Sequence, residues 1–194
     1  MDAAAKVFAI HGSNASLNDV ARAAGVGVAT VYRKFADKDA MLDAIFEQKI
    51  TSLVDEADKA LLVADAGDAI RQLLFGVMEK RATDRGLDAV LTSSERNARF
   101  AHELTQRFLP TVDLLVARAV KEGELRADFS GHEVCLLAFM VGKVADITRE
   151  SHPDVWRRYA QLLVDGTRSS PDTRPLTPAP LSFEESAAAL GRAG

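Results

Sequence analysis

The stretch Val20–Phe35, VARAAGVGVATVYRKF, reads as two short helices folded around a glycine turn. Ala21 is small where the two helices cross, and Gly25 stands four residues later, where the chain must turn sharply. Glycine reaches positive φ there without steric cost. Val20, Ala24, Val26 and Val31 are the expected inner face of the pair. Thr30, Arg33 and Lys34, with Tyr32 beside them, remain for the outer face of the second helix. Side chains of those types reach base edges and phosphates, so the pattern is a helix-turn-helix and DNA is the expected partner. The same helix, turn and helix also occur in all-α proteins that never meet DNA, so the surrounding chain carries weight.

The 194 residues suffice for one core with a small appended domain. Apolar residues make up 47%, as in ordinary globular proteins, and aromatics are few. The only cysteine, Cys135, lies in an apolar run and reads as a small buried hydrophobe. No apolar run approaches the ~18 residues of a membrane span, and the N-terminus lacks a secretory pattern. The expectation is a soluble, cytoplasmic protein that does not engage the membrane. Net charge is −4, and residues 1–50 carry six basic and six acidic side chains. DNA affinity therefore depends on which face the charges occupy. Arg33, Lys34 and Lys38 cluster at the expected DNA face, diluted by Asp37 and Asp39.

Outside this stretch the period is helical throughout, with no strand-period segment and no repeat, which predicts an all-α fold. A first helix covers residues 2–10. Ser16 caps the second, with Asp19 as its capping-box partner. The recognition helix spans about Gly27 to Phe35, with Gly27 a weaker cap than serine. Asp37 caps a long helix whose buried stripe runs from Met41 to Leu62. Another amphipathic helix follows residues 64–67 and ends near 83–86. A short segment then holds Leu87, Val90 and Leu91. Phe100, Leu104 and Phe108 mark the next stripe, and Pro110 either kinks that helix or opens a new one. Ser130-Gly-His-Glu133 reads as a capping box opening an apolar helix to Ile147, and His152-Pro153 introduces the last long helix. Residues 169–181 hold four prolines and read as part of a flexible tail, with a short helix near Phe183–Leu190. The expected domains are 1–46, a helix-turn-helix head; 47–168, a helical body; and 169–194, the tail.

Residues 5–46 resemble the TetR family of transcriptional regulators. AAKVFAIHG is similar to the end of that family's first helix and its glycine. VARAAGVGVATVYRKFADKDAML is similar to its A-G-V turn, T-[LV]-Y-x-x-F and K-x-x-L pattern. The resemblance implies that Val28, Ala29, Thr30, Arg33 and Lys34 face bases and the groove floor. It implies that Ser16, Tyr32 and Lys38 bind the phosphate backbone, and that Phe35 packs the head together. Two departures stand out. Gly27 replaces the usual serine before the recognition helix. The chain also begins inside the first helix, so either the start is truncated or this member lacks the basic arm.

A single recognition helix contacts few base pairs, so the resemblance implies a homodimer reading a palindromic operator. The expected dimer surface is helices 131–149 and 154–167, with Leu137, Val141, Val144, Trp156, Tyr159 and Leu163. The family's usual action is repression, relieved when a small-molecule effector enters the body. Phe75, Met78, Phe100, Phe108, Phe139 and Met140 are pocket candidates, although the same spacing serves a plain core. Arg81, Arg85, Arg96 and Arg99 either meet an acidic ligand or form a solvated face. No cofactor or metal is called for. The chain has no P-loop, G-x-S-x-G, H-E-x-x-H or Glu-x-x-His, which argues against an enzyme. The rival reading is a helical ligand-binding or adaptor protein whose head has lost DNA affinity.

Overall fold

Caps and glycine turns divide the chain into helices, seen in a computed structural model that describes residues 1–11, 15–84 and 94–192. The head comprises α1 (Asp2–His11), α2 (Leu17–Ala24) and α3 (Val28–Lys34). Ala4, Ala5, Val7 and Phe8 of α1 point inward and meet Leu17, Val20, Ala21 and Val31 in the shared core. Helix α4 (Lys38–Leu61) is 24 residues long, about 36 Å, and runs from the head through the body. Its cap is Asp37, whose carboxylate accepts the Ala40 N–H at 2.8 Å. Asp65 caps α5 (Ala66–Thr83) in the same way, accepting from the Asp68 N–H at 2.7 Å. The expected short segment with Leu87, Val90 and Leu91 lies outside the described residues, as does Arg85.

Helix α6 (Ser94–Glu103) passes through a π-helical turn, Leu104–Phe108, into α7 (Leu109–Lys121). The Leu109 N–H donates to the Leu104 carbonyl, one residue further back than in an α-helix. Pro110 sits in the first turn of α7. Its ring clashes with a carbonyl four residues back in an unbroken α-helix, and the wider turn precedes it. Helix α8 (Glu133–Thr148) packs along α5 more extensively than any other described pair of elements. The close approach needs Gly142, where a Cβ would fall 2.6 Å from Arg81 Cγ. Helices α9 (Trp156–Gly166) and α10 (Phe183–Arg192) follow. An isolated β-bridge joins Leu125 to Arg168. Among the described residues no helix is long and apolar enough to cross a membrane.

Two local expectations change. Ser130 supplies half a capping box: its N–H donates to Glu133 Oε2 at 2.8 Å, but its hydroxyl pairs with His132 Nδ1 at 2.8 Å. The helix therefore begins at Glu133 without a side-chain cap. The segment read as a flexible tail is tied to the body. Arg126 bonds Asp128 through two nitrogens, at 2.5 and 3.0 Å, and donates to the Arg174 carbonyl at 2.8 Å. The Leu176 N–H donates to Asp128 at 2.6 Å, and His132 Nε2 meets the Leu181 carbonyl at 2.5 Å. Its polar anchors grip backbone, which low apolar content does not reveal, and Phe183 packs against the core.

Candidate nucleic-acid interface

Three local devices hold α3 in place. The first is the start of α2. Ser16 Oγ accepts the Asp19 N–H at 3.2 Å and donates to Asp19 Oδ2 at 2.6 Å, while the Ser16 N–H donates to the same carboxylate at 3.1 Å. These bonds hold the Asp19 carboxyl below its ordinary pKa. The second is the turn. Gly25 has φ 65° and ψ 28°, and the Val26 N–H reaches back to the Ala21 carbonyl at 3.1 Å, closing α2 with a left-handed cap. The third is Val31, the one buried residue of α3, which anchors it against Val20 and Ala21 in the head's core.

Everything else on α3 faces solvent. Val28, Ala29, Thr30, Tyr32, Arg33 and Lys34 are all exposed, Tyr32 by 51% and Val28 by 45%. The polar edge is presented outward, as DNA reading requires. Ala24 and Val26, read as inner-face residues, are exposed instead, because the left-handed turn at Gly25 swings that corner away from the core. Gly27 offers no side chain to cap α3, and its carbonyl accepts the Thr30 N–H at 2.9 Å. Phe35 is half-buried, with the Lys34 ammonium 5.5 Å from its ring centroid. Lys38 is half-buried, its ammonium 5.3 Å from the Phe8 ring, so α1 supports the first residue of α4. Ser16 is exposed, but its hydroxyl is engaged with Asp19.

The body sorts the other candidates. Met78 and Phe108 are fully enclosed, while Phe75, Phe100 and Phe139 are partly covered. Phe100 meets Phe46 of α4 edge-on, with centroids 5.9 Å apart. Met140 faces outward, 47% exposed, and does not belong to an interior pocket. Val141 and Trp156, expected at a dimer surface, are sealed inside the protomer against the core. Tyr159 is exposed, and Leu137, Val144 and Leu163 are half-buried. The outermost apolar side chains of α8 and α9 are Ile147, 82% exposed, and Leu162, 56% exposed. Neither was among the expected dimer contacts, though Met140 and Ile147 stand seven apart, two turns along one face. Arg81 pairs with Asp146 at 3.4 Å, Arg96 with Asp39 at 2.7 Å and Arg99 with Asp43 at 3.1 Å. Cys135 packs against the core, and burial pushes its thiol up to about 12.

Residues 1–45 match the family described as bacterial regulatory proteins, tetR family. Residues 65–169 match the C-terminal domain described as transcriptional regulator SbtR-like. None of the curated proteins compared with the chain matches it. Among solved structures, a TetR transcriptional regulator from Streptomyces coelicolor is 23% identical with TM-score 0.64, over 87% of this chain and 95% of that one. The regulator FadR from Bacillus subtilis, in complex with stearoyl-CoA, is 20% identical with TM-score 0.64, over 85% and 96%. The ketosteroid transcriptional regulator KstR2 of Mycobacterium tuberculosis is 18% identical with TM-score 0.60, over 86% and 92%. Likeness at these identities is likeness of fold.

Proposed function

This chain belongs to the TetR family of bacterial regulators, whose N-terminal helix-turn-helix binds DNA, and from that premise we propose a dimeric repressor released from a palindromic operator by a small-molecule effector. The observation that carries the DNA-contact assignment is the exposure of the whole outer face of α3 above a single buried anchor, Val31. Thr30, Arg33 and Lys34 read base edges, with Val28 and Ala29 against the groove floor. Tyr32 and Lys38 hold phosphates, and Ser16 acts by fixing the start of α2.

Two copies pair through the outer faces of α8 and α9. Met140, Ile147, Tyr159 and Leu162 sit at the centre, and Leu137, Val144 and Leu163 at the edges. A two-fold axis then presents two α3 helices to half-sites about 34–36 Å apart, or a multiple of that. The effector is a largely apolar molecule, because Phe75, Met78, Phe100, Phe108 and Phe139 dominate the candidate lining. Such an effector shifts operator affinity by its difference in affinity for two arrangements of the body, typically ~1–3 kcal/mol.

The test is fluorescence anisotropy with duplex DNA from immediately upstream of the protein's own gene, at two salt concentrations, alongside sedimentation of the free protein. Specific binding that weakens steeply with salt, by a sedimenting dimer, is the expected result. Equal affinity for that duplex and a shuffled one contradicts the operator assignment, and a monomer at micromolar concentration contradicts the pairing.

A further inference from the structure

Helix α4 carries acids at a four-residue spacing, Asp39, Asp43 and Glu47, directly after the residue placed on the DNA backbone, Lys38. Four-residue spacing lines them up on one face. Each meets an arginine from the α6–α7 segment of the body: Arg96 with Asp39 at 2.7 Å, Arg99 with Asp43 at 3.1 Å, and Arg107 with Glu47 at 2.7 Å. Arg99 also lies 4.8 Å over the Phe46 ring, and Arg107 adds Glu103 at 3.3 Å and Thr51 at 3.4 Å. The acids are drawn from the half of the chain that must approach a polyanion, the arginines from the half that must not.

Resting on the DNA-binding reading above, we propose that Arg96 and Arg99 are an electrostatic mask: they neutralise carboxylates of α4 that would otherwise repel the operator's phosphates, so drawing α6 away from α4 weakens DNA binding by uncovering charge. The Asp39 carboxylate is largely exposed, open to the solvent that the phosphates occupy. At 1.5 Å per residue, Asp43 lies ~7.5 Å along the helix from Lys38 and Glu47 ~13.5 Å. With a screening length of ~8 Å at physiological salt and ~14 Å at about 50 mM, the influence at the phosphates falls in the order Asp39, Asp43, Glu47. The body thus acts on the head through charge. Arg96 and Arg99 are positioning residues that touch no DNA.

This ranking separates a mask from a brace. A brace makes Arg107, with three partners, the residue whose loss weakens binding most. A mask makes Arg96 the most important, Arg99 next and Arg107 least, although each substitution removes the same one charge. The test uses the full-length protein and a mixed-sequence duplex of about forty base pairs, at roughly 50 mM and 300 mM salt, with melting temperatures to confirm folding. Arg96→Gln/Arg99→Gln weakens binding ~3–10-fold at low salt, and the loss shrinks at high salt. Asp39→Asn/Asp43→Asn tightens it, and the fourfold variant returns to within ~2-fold of wild type. A fourfold variant as weak as the arginine pair, or Arg107→Gln as damaging as Arg96→Gln, overturns the mask while DNA binding stands. Wild-type protein that does not bind the duplex at low salt overturns the DNA-binding reading and the mask with it.

Discussion

Helices α3 and α8 use their sequences in opposite ways. Of the seven residues of α3 only Val31 is buried, while α8 buries Val134, Ala138, Val141, Gly142 and Ala145 and half-covers most of the rest. A seven-residue helix is not stable alone, so α3 is held from outside itself, by the Ser16–Asp19 cap, the Gly25 turn and one anchor. Its outer side chains are thereby released from any duty in folding and are available to a ligand. In α8 the side chains are the fold. Substitutions on the face of α3 are therefore expected to change binding and leave stability intact, while substitutions inside the body are expected to do the reverse.

The sharpest contrast comes from the largest buried side chain among the described residues. Trp156→Ala removes a side chain that is 2% exposed and destabilises the protein by about 3–5 kcal/mol, read from urea unfolding. Refolded protein at low denaturant keeps its preference for operator over shuffled DNA. Destabilisation below about 1 kcal/mol would place Trp156 at a surface instead. The outer face of the same two helices tests the pairing. Ile147→Glu with Leu162→Glu leaves the protomer fold intact, since both side chains are exposed, and places charges at the centre of the proposed interface. Loss of ~2 kcal/mol or more of dimer stability is expected by sedimentation. An unchanged dimer moves the interface elsewhere.

Smaller effects probe the supports of α3. Ser16→Ala removes both side-chain bonds to Asp19 and destabilises the protein by about 1 kcal/mol, with faster amide exchange confined to α1–α3. Exchange spread evenly over the body would mean that the cap is not a local support. The smallest effect is pH-dependent and lies in the C-terminal segment. Arg126 and the Leu176 N–H hold the Asp128 carboxyl well below its usual 3.8, at about 2. A carboxyl with a depressed folded pKa stabilises at pH values above 3.8 and loses that contribution as pH falls towards 2. The stability gap between wild type and Asp128→Asn therefore narrows on acidification through that window. A gap that stays constant would contradict the clasp.

How much of this was legible in the sequence followed the range of the forces involved. Caps and turns act within four residues, so Ser16, Asp37, Gly25 and the extent of α2 through α4 were readable from single positions, whereas Asp65 and the first residues of α5 were read as a break. The resemblance then supplied the expected roles of Tyr32, Arg33 and Lys38, which no periodicity distinguishes from other exposed residues. Ala24 and Val26 were misplaced because composition does not show how far a left-handed turn swings its corner outward. In α8 and α9, apolar residues occur on faces turned inward and outward alike, so Val141 and Trp156 were read as dimer contacts while the more exposed Ile147 and Leu162 were not. The partners of the arginines were the least legible. Arg96, Arg99 and Arg107 meet acids 56–60 positions away, a pairing that only the packing of α6 on α4 decides.

DNA reading is assigned to the outer face of α3. Its most direct measurement sets two variants against two duplexes, the upstream sequence and a shuffled one of equal length. Tyr32→Ala/Lys38→Ala should weaken binding to both alike. Arg33→Ala should weaken the upstream sequence by ~1–3 kcal/mol while leaving the shuffled one far less changed, at the wild-type melting temperature. Full affinity and full preference in both variants would contradict it.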